Sequence, residues 1–187
     1  MNTAVLKIVL FLLIHGCKTG VLEEVVRAES LEGQSEVDPI IPKQAVSDVP
    51  SHWRQIDWSN FEAKVSRYFT VGEVTKYEQQ RIPQSDEIKE NIFVLAQELD
   101  KVREAWGSPI LVNSWYRPPE VNAAVGGARR SQHLYGTAAD VRPANGEILR
   151  FQRWLDLGIW QERALGYGAS RGFVHLDLRE GRIRWHY

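Results

Sequence analysis

Five histidines and one cysteine limit the metal chemistry open to this chain: His15, His52, His133, His175, His186 and Cys17. A lone thiol excludes an internal disulfide and a cysteine-rich zinc knuckle, so any metal site must be built from imidazoles and carboxylates. His133 stands seven residues before Asp140, with Gly136, Ala138 and Ala139 in the interval. No single helix face explains that spacing. It suits a loop residue and a strand residue folded back on each other, Gly136 permitting the turn and the alanines permitting close packing. From Phe173 to Leu178 the residues alternate, which puts Val174, Leu176 and Leu178 on an apolar face and Phe173, His175 and Asp177 on the other. Two neutral imidazoles and one carboxylate are good ligands for zinc and leave the fourth tetrahedral position open for water, the arrangement that polarises a scissile carbonyl.

The elements that must position these groups can be read from apolar periodicity. Ile88, Ile92, Leu95, Leu99, Val102 and Trp106 follow steps of four and three, with acids in the first turn and Gly107 after the end, which predicts an amphipathic helix over 86–106. Pro109 opens the apolar run Ile110 to Val112, read as a strand that continues to Arg117 at a Pro-Pro turn. Pro119 to Val125 suits a short helix with proline in its first turn, stopped by Gly126 and Gly127. A strand over Ala138 to Arg142 and an amphipathic helix over Glu147 to Leu157 follow. Strands near Ala164–Tyr167, Phe173–Leu178 and Arg182–Tyr187 are separated by Gly168, Gly172 and Gly181. Helices first and a closing sheet point to an α+β fold, helices packed on a central antiparallel sheet.

The remaining sequence suggests what surrounds that domain. The apolar run Ile8 to Ile14, ending in His15, Gly16 and Cys17, is too short to span a bilayer and reads as an export segment over residues 1–20. Ile-His-Gly-Cys resembles a lipobox, so membrane attachment through a lipidated Cys17 would follow from it. Residues 21–51 are acidic, interrupted by Pro39, Pro42 and Pro50, and without apolar period, as expected of a linker. Trp53, Trp58, Phe61, Tyr68 and Phe69 then mark the start of a folded domain over 52–187. With 23 basic and 24 acidic residues the chain lacks the surplus of positive charge that nucleic-acid binding requires.

Several of these residues together resemble a known family: Ser114-Trp115-Tyr116-Arg117, Asn122, Val125-Gly126-Gly127, Ser131-Gln132-His133, Gly136, Ala139-Asp140 and Phe173-Val174-His175-Leu176-Asp177. The combination is similar to the zinc D-alanyl-D-alanine carboxypeptidases, the peptidoglycan metallopeptidases that share a fold with the hedgehog signalling domain. The resemblance covers roughly residues 65–187 and implies an exported, periplasmic or cell-envelope peptidase, expected as a monomer, acting on peptidoglycan stem peptides. It implies His133, Asp140 and His175 as zinc ligands and Arg117 as a contact near the scissile bond. A guanidinium fork suits that contact, where lysine offers only a point charge.

Tyr116, Trp115, Ser131 and Tyr135 are the candidates to line the cleft, although the aromatic ones suit a core at least as well. One departure stands out, because Gly172 occupies the position where many members carry an acidic general base. Asp177 is then either the base or the group that accepts the far N–H of a ligand histidine, with His186 a weaker candidate. The alternative to an enzyme is a zinc-containing module that grips peptidoglycan without cutting it.

Overall fold

The computed structural model describes residues 48–187; the expected export segment, Cys17 and nearly all of the expected linker lie outside the described residues. The first described segment packs into the core through Trp53, Ile56 and Trp58, which are buried. Thr70 caps the short helix α1 (Val71–Thr75), its hydroxyl accepting from the Glu73 amide while the Glu73 carboxylate accepts from the Thr70 amide. Helix α2 (Asp86–Trp106) has the expected bounds and stops at Gly107, which takes a left-handed conformation that a side chain would resist. Its residues Ile92, Leu95, Leu99 and Val102 are fully buried. Truncating one of them, as in Leu99→Ala, would cost about 2–5 kcal/mol.

Strand β1 (Ile110–Ser114) is followed by α3 (Pro119–Ala124), a 3-10 turn over Gln132–Tyr135, β2 (Ala138–Pro143) and α4 (Ile148–Leu157). Strands β3 (Arg163–Tyr167), β4 (Val174–Glu180) and β5 (Arg184–His186) complete one sheet in the order β1-β2-β4-β3-β5. The fold is α+β as expected, with one refinement. β1, β2, β4 and β3 pair antiparallel, but β5 lies parallel to β3. After β4 the chain turns through Gly181, whose amide donates to the Glu162 carbonyl, so it rounds the start of β3 and joins its outer edge. The expected strand to Arg117 ends at Ser114 instead. A register shift between Val112 and Ser114 breaks the ladder, and the Trp115 carbonyl is bonded to a side chain of the site rather than to a strand.

The two faces of the sheet have different fates. Ala139, Val141, Leu165, Val174 and Leu176 belong to the core with Leu95, Leu99 and Phe151 of the helices. The opposite face carries one cross-strand row, Ser114 opposite Asp140, Asp140 opposite His175, His175 opposite Gly166, and Gly166 opposite Trp185. Directly opposed residues project from the same face, so the ladder register alone brings Asp140 beside His175.

Candidate metal centre

His133, Asp140 and His175 each offer one ligand atom to a cluster that could hold a metal ion, and all three are buried. Asp140 Oδ1 lies 2.8 Å from His175 Nδ1 and 3.3 Å from His133 Nε2, and the two imidazole nitrogens are 3.2 Å apart. A tetrahedral ion with bonds of about 2.0–2.1 Å spaces its ligands about 3.3 Å apart, so the separations of 3.2 and 3.3 Å match the edges of a zinc site and the Asp140–His175 one is shorter.

The outer partners of the imidazoles decide which nitrogens are free to bind. His133 Nδ1 is 2.6 Å from the Trp115 carbonyl, which can only accept, so that nitrogen carries the proton and Nε2 presents its lone pair. His175 Nε2 is 3.3 Å from Asp177 Oδ2, which directs Nδ1 into the cluster. A neutral imidazole on either side of a carboxylate then leaves three acceptors facing one another, and a cation fits that donor set.

Each element contributes to this arrangement. The 3-10 turn that carries His133 starts at Ser131, whose hydroxyl accepts from the His133 amide. Its backbone is tied to the end of β1 by the Arg117 amide, which donates to the His133 carbonyl. Asp177 lies in register between Ala138 and Ala164, whose small side chains leave room for its carboxylate. It is 0% exposed, and Arg179 grips both of its oxygens at 3.0 and 2.8 Å. Arg117 donates through Nη2 to Asp140 Oδ2 at 3.2 Å, while its buried Nε has no partner among the described residues.

The electrostatics follow from these contacts. For Asp140 burial opposes ionisation, but His133 and His175, when a proton sits on their inner nitrogens in the metal-free chain, outweigh it by hydrogen bonding and hold the carboxyl well below the usual range. Burial likewise opposes charge on His175, yet Asp140 and Asp177 on its two sides raise its pKa. His133 goes the other way, because burial outweighs its carboxylate neighbour. Asp177 is pulled down by His175 and Arg179 against the effect of burial.

A cleft of about 490 Å³ opens over the cluster, bordered by His133, His175, Ser131 and Arg117 among others. Ser131 is the one expected cleft residue that lies there. Tyr116 is 7% exposed and packs into the core, and Tyr135 points to solvent with its carbonyl bonded to Asn91, so neither lines the cleft. His186 is exposed and stacks on Tyr167. His52 caps the first turn of the domain.

Trp185 and Tyr187 form a wall of the cleft that the sequence reading did not assign. The Trp185 ring meets His175 edge-on, centroids 5.1 Å apart, and Tyr187 lies 6.0 Å from it. Gly166 makes this approach available: a Cβ there would stand 2.6 Å from the Tyr187 ring and 2.8 Å from the Trp185 ring. Gly172, at the expected position of a general base, ends a 3-10 turn with φ +85°, a conformation that disfavours any acidic side chain.

The sequence comparisons agree with the cluster. The profile of the peptidase M15 family matches residues 67–177, a span that contains Arg117 and all three candidate ligands. The chain belongs to the peptidase M15 family. It is also similar to the zinc D-Ala-D-Ala carboxypeptidase of Streptomyces albus G, 43% identical over 95 residues. That alignment spans 50% of this M15 chain and 37% of the length of the relative.

Proposed function

We propose that this M15 chain is a zinc peptidase that hydrolyses peptide bonds in the stem peptides or cross-links of peptidoglycan. The observation that carries the reading is the convergence of His133 Nε2, Asp140 Oδ1 and His175 Nδ1, close enough to share one ion, beneath an open cleft. The name of the Streptomyces relative supports both zinc and a D-Ala-D-Ala substrate. An exported protein, anchored or free in the cell envelope, would meet that polymer; export and lipidation at Cys17 belong to this proposal.

Bound by these three residues, zinc supplies a Lewis acid for the scissile carbonyl and lowers the pKa of water toward about 7. The protein's own groups hold that chemistry in place. Trp115 and Asp177 fix the tautomers of His133 and His175 through their outer nitrogens. Asp177 has the orienting role in this reading, because it is fully buried and both its oxygens are engaged by Arg179 and His175. Arg117 steadies Asp140 through Oδ2, and its guanidinium, at the border of the cleft, can meet a developing oxyanion. Trp185 and Tyr187 shield the His175 side of the cleft from water.

A second reading, a zinc-containing module that binds peptidoglycan without cutting it, is favoured by the absence of an acidic residue among the described residues that line the cleft and by Gly172. Incubation of the purified chain with muropeptides and zinc separates the two. Products that vanish with a chelator or with Asp140→Ala support the peptidase, and retention of the muropeptides without products supports the module.

A further inference from the structure

Among the described residues, four arginines line the cleft, Arg117, Arg130, Arg171 and Arg179, and no acidic side chain does. The chain as a whole carries a formal net charge of −1, so this local surplus of positive charge is not a property of the overall composition. The four guanidiniums are not equivalent. Arg117 is bonded to Asp140, and Arg179 grips Asp177 while lying over the Trp185 ring. Among the described residues, Arg130 and Arg171 have no side-chain hydrogen bond, ion pair or aromatic partner.

Their positions in the chain matter as much as their freedom. Arg130 stands just before the Ser131 cap of the turn that carries His133, and Arg171 closes the 3-10 turn that leads into β4 and His175. The Arg130 segment is fixed by Asn122, whose side-chain amide donates to the Ala128 carbonyl at 3.0 Å. Gly127 packs so closely on that amide that a Cβ would lie 2.1 Å from Asn122 Oδ1. The Arg171 segment is fixed by Asn113, which donates to the Gly172 carbonyl at 3.3 Å. Two anchored backbone segments thus each carry one exposed, unpaired arginine to the border of the same cleft. A planar fork of donors in that setting matches a carboxylate better than any neutral group.

We infer that Arg130 and Arg171 form a carboxylate-binding pair that selects peptides bearing an ionised carboxylate next to the bond presented to the cluster. The inference rests on the peptidase reading for its substrate class. The carboxylate comes either from the peptide C-terminus or from an acidic side chain of the stem.

Binding to the full-length chain in the presence of a chelator tests the pair without any turnover. The probes are a stem pentapeptide ending in D-Ala-D-Ala, its C-terminal amide, and the same peptide with its glutamyl carboxylate amidated. Calorimetry is expected to show one amidated form binding about tenfold more weakly than the parent, with the preference shrinking as salt rises. Loss on C-terminal amidation assigns the terminus, and loss on glutamyl amidation assigns the side chain. Arg130→Gln and Arg171→Gln should each reduce the preference while leaving the melting temperature and zinc content unchanged. Equal binding of all three peptides, or no binding of any, overturns the inference. A chain that binds selectively yet hydrolyses nothing with zinc restored would contradict the peptidase reading and leave the carboxylate pair standing.

Discussion

Asp140 and His175 face each other across the central pair of strands, β2 and β4, and their Oδ1 and Nδ1 atoms are 2.8 Å apart. The contact is a consequence of register. Sliding β4 by one residue would turn His175 into the core and bring Val174 or Leu176 opposite Asp140. Two of the three candidate ligands are therefore held by the most regular part of the sheet, and only His133 depends on a turn. A site built mainly on strands needs little rearrangement to receive an ion, which is the sense in which the fold prepares it.

Removal of the shared carboxylate should abolish metal binding. Asp140→Ala takes away one ligand and the partner of Arg117 together. Elemental analysis is expected to find about one zinc per wild-type chain and essentially none in the variant, in keeping with three protein ligands per site. The variant should also melt lower, because Arg117 is left without its carboxylate in a largely buried position.

Asp177→Asn tests the orienting role. An amide can offer its NH₂ to His175 Nε2 and stabilise the wrong tautomer, turning the protonated nitrogen toward the cluster. Zinc affinity should fall about 10–100-fold. Competition with a zinc-binding dye measures it, and an affinity equal to wild type would remove Asp177 from the account.

Gly166→Ala should disturb the aromatic wall and leave the ligands in place. The added methyl meets the rings of Tyr187 and Trp185 at 2.6 and 2.8 Å. The expected cost is about 1–3 kcal/mol, as for other overpacked sites. Tryptophan fluorescence and hydrolysis rate should change together, with zinc content constant.

The metal-free chain should respond to pH in two directions. The raised pKa of His175 gives a stabilising contribution that is complete below the ordinary imidazole value of about 6.5 and is lost as pH rises through the raised value. Asp140 and Asp177 have depressed values, so their contributions are complete above the ordinary carboxylate value of about 4 and are lost as pH falls through the depressed ones. A proton on His175 Nδ1 occupies the place of a metal ligand, so zinc must displace it. The rise in melting temperature produced by zinc should therefore grow from about pH 6 to pH 8. Calorimetric scans with and without zinc check it, and a zinc effect that shrinks over that range would contradict the assignment.

The parts of this structure that were legible in the sequence are those where one period dominates. Helix α2 has the bounds its apolar steps predict, and the alternation from Phe173 to Leu178 correctly separates the core residues Val174 and Leu176 from His175 and Asp177. The Thr70 to Glu73 capping box was also written in the sequence, as a Thr and a Glu three residues apart, although α1 is too short to show a period. Non-local pairing was not legible. Nothing in Arg182 to Tyr187 says that β5 lies parallel to β3, and so nothing brought Trp185 and Tyr187 over His175. Tyr116 and Tyr135 show the converse: residues near a ligand in sequence can point away from it, one into the core and one to solvent.

The central claim, hydrolysis of peptidoglycan by zinc held on His133, Asp140 and His175, is tested most directly by mass spectrometry of purified sacculi digested with the zinc-loaded chain. The account predicts soluble peptide fragments whose masses correspond to addition of one water at a stem or cross-link amide, and their absence with Asp140→Ala. Sacculi whose peptides remain intact, in the presence of chain carrying its full complement of zinc, would contradict it.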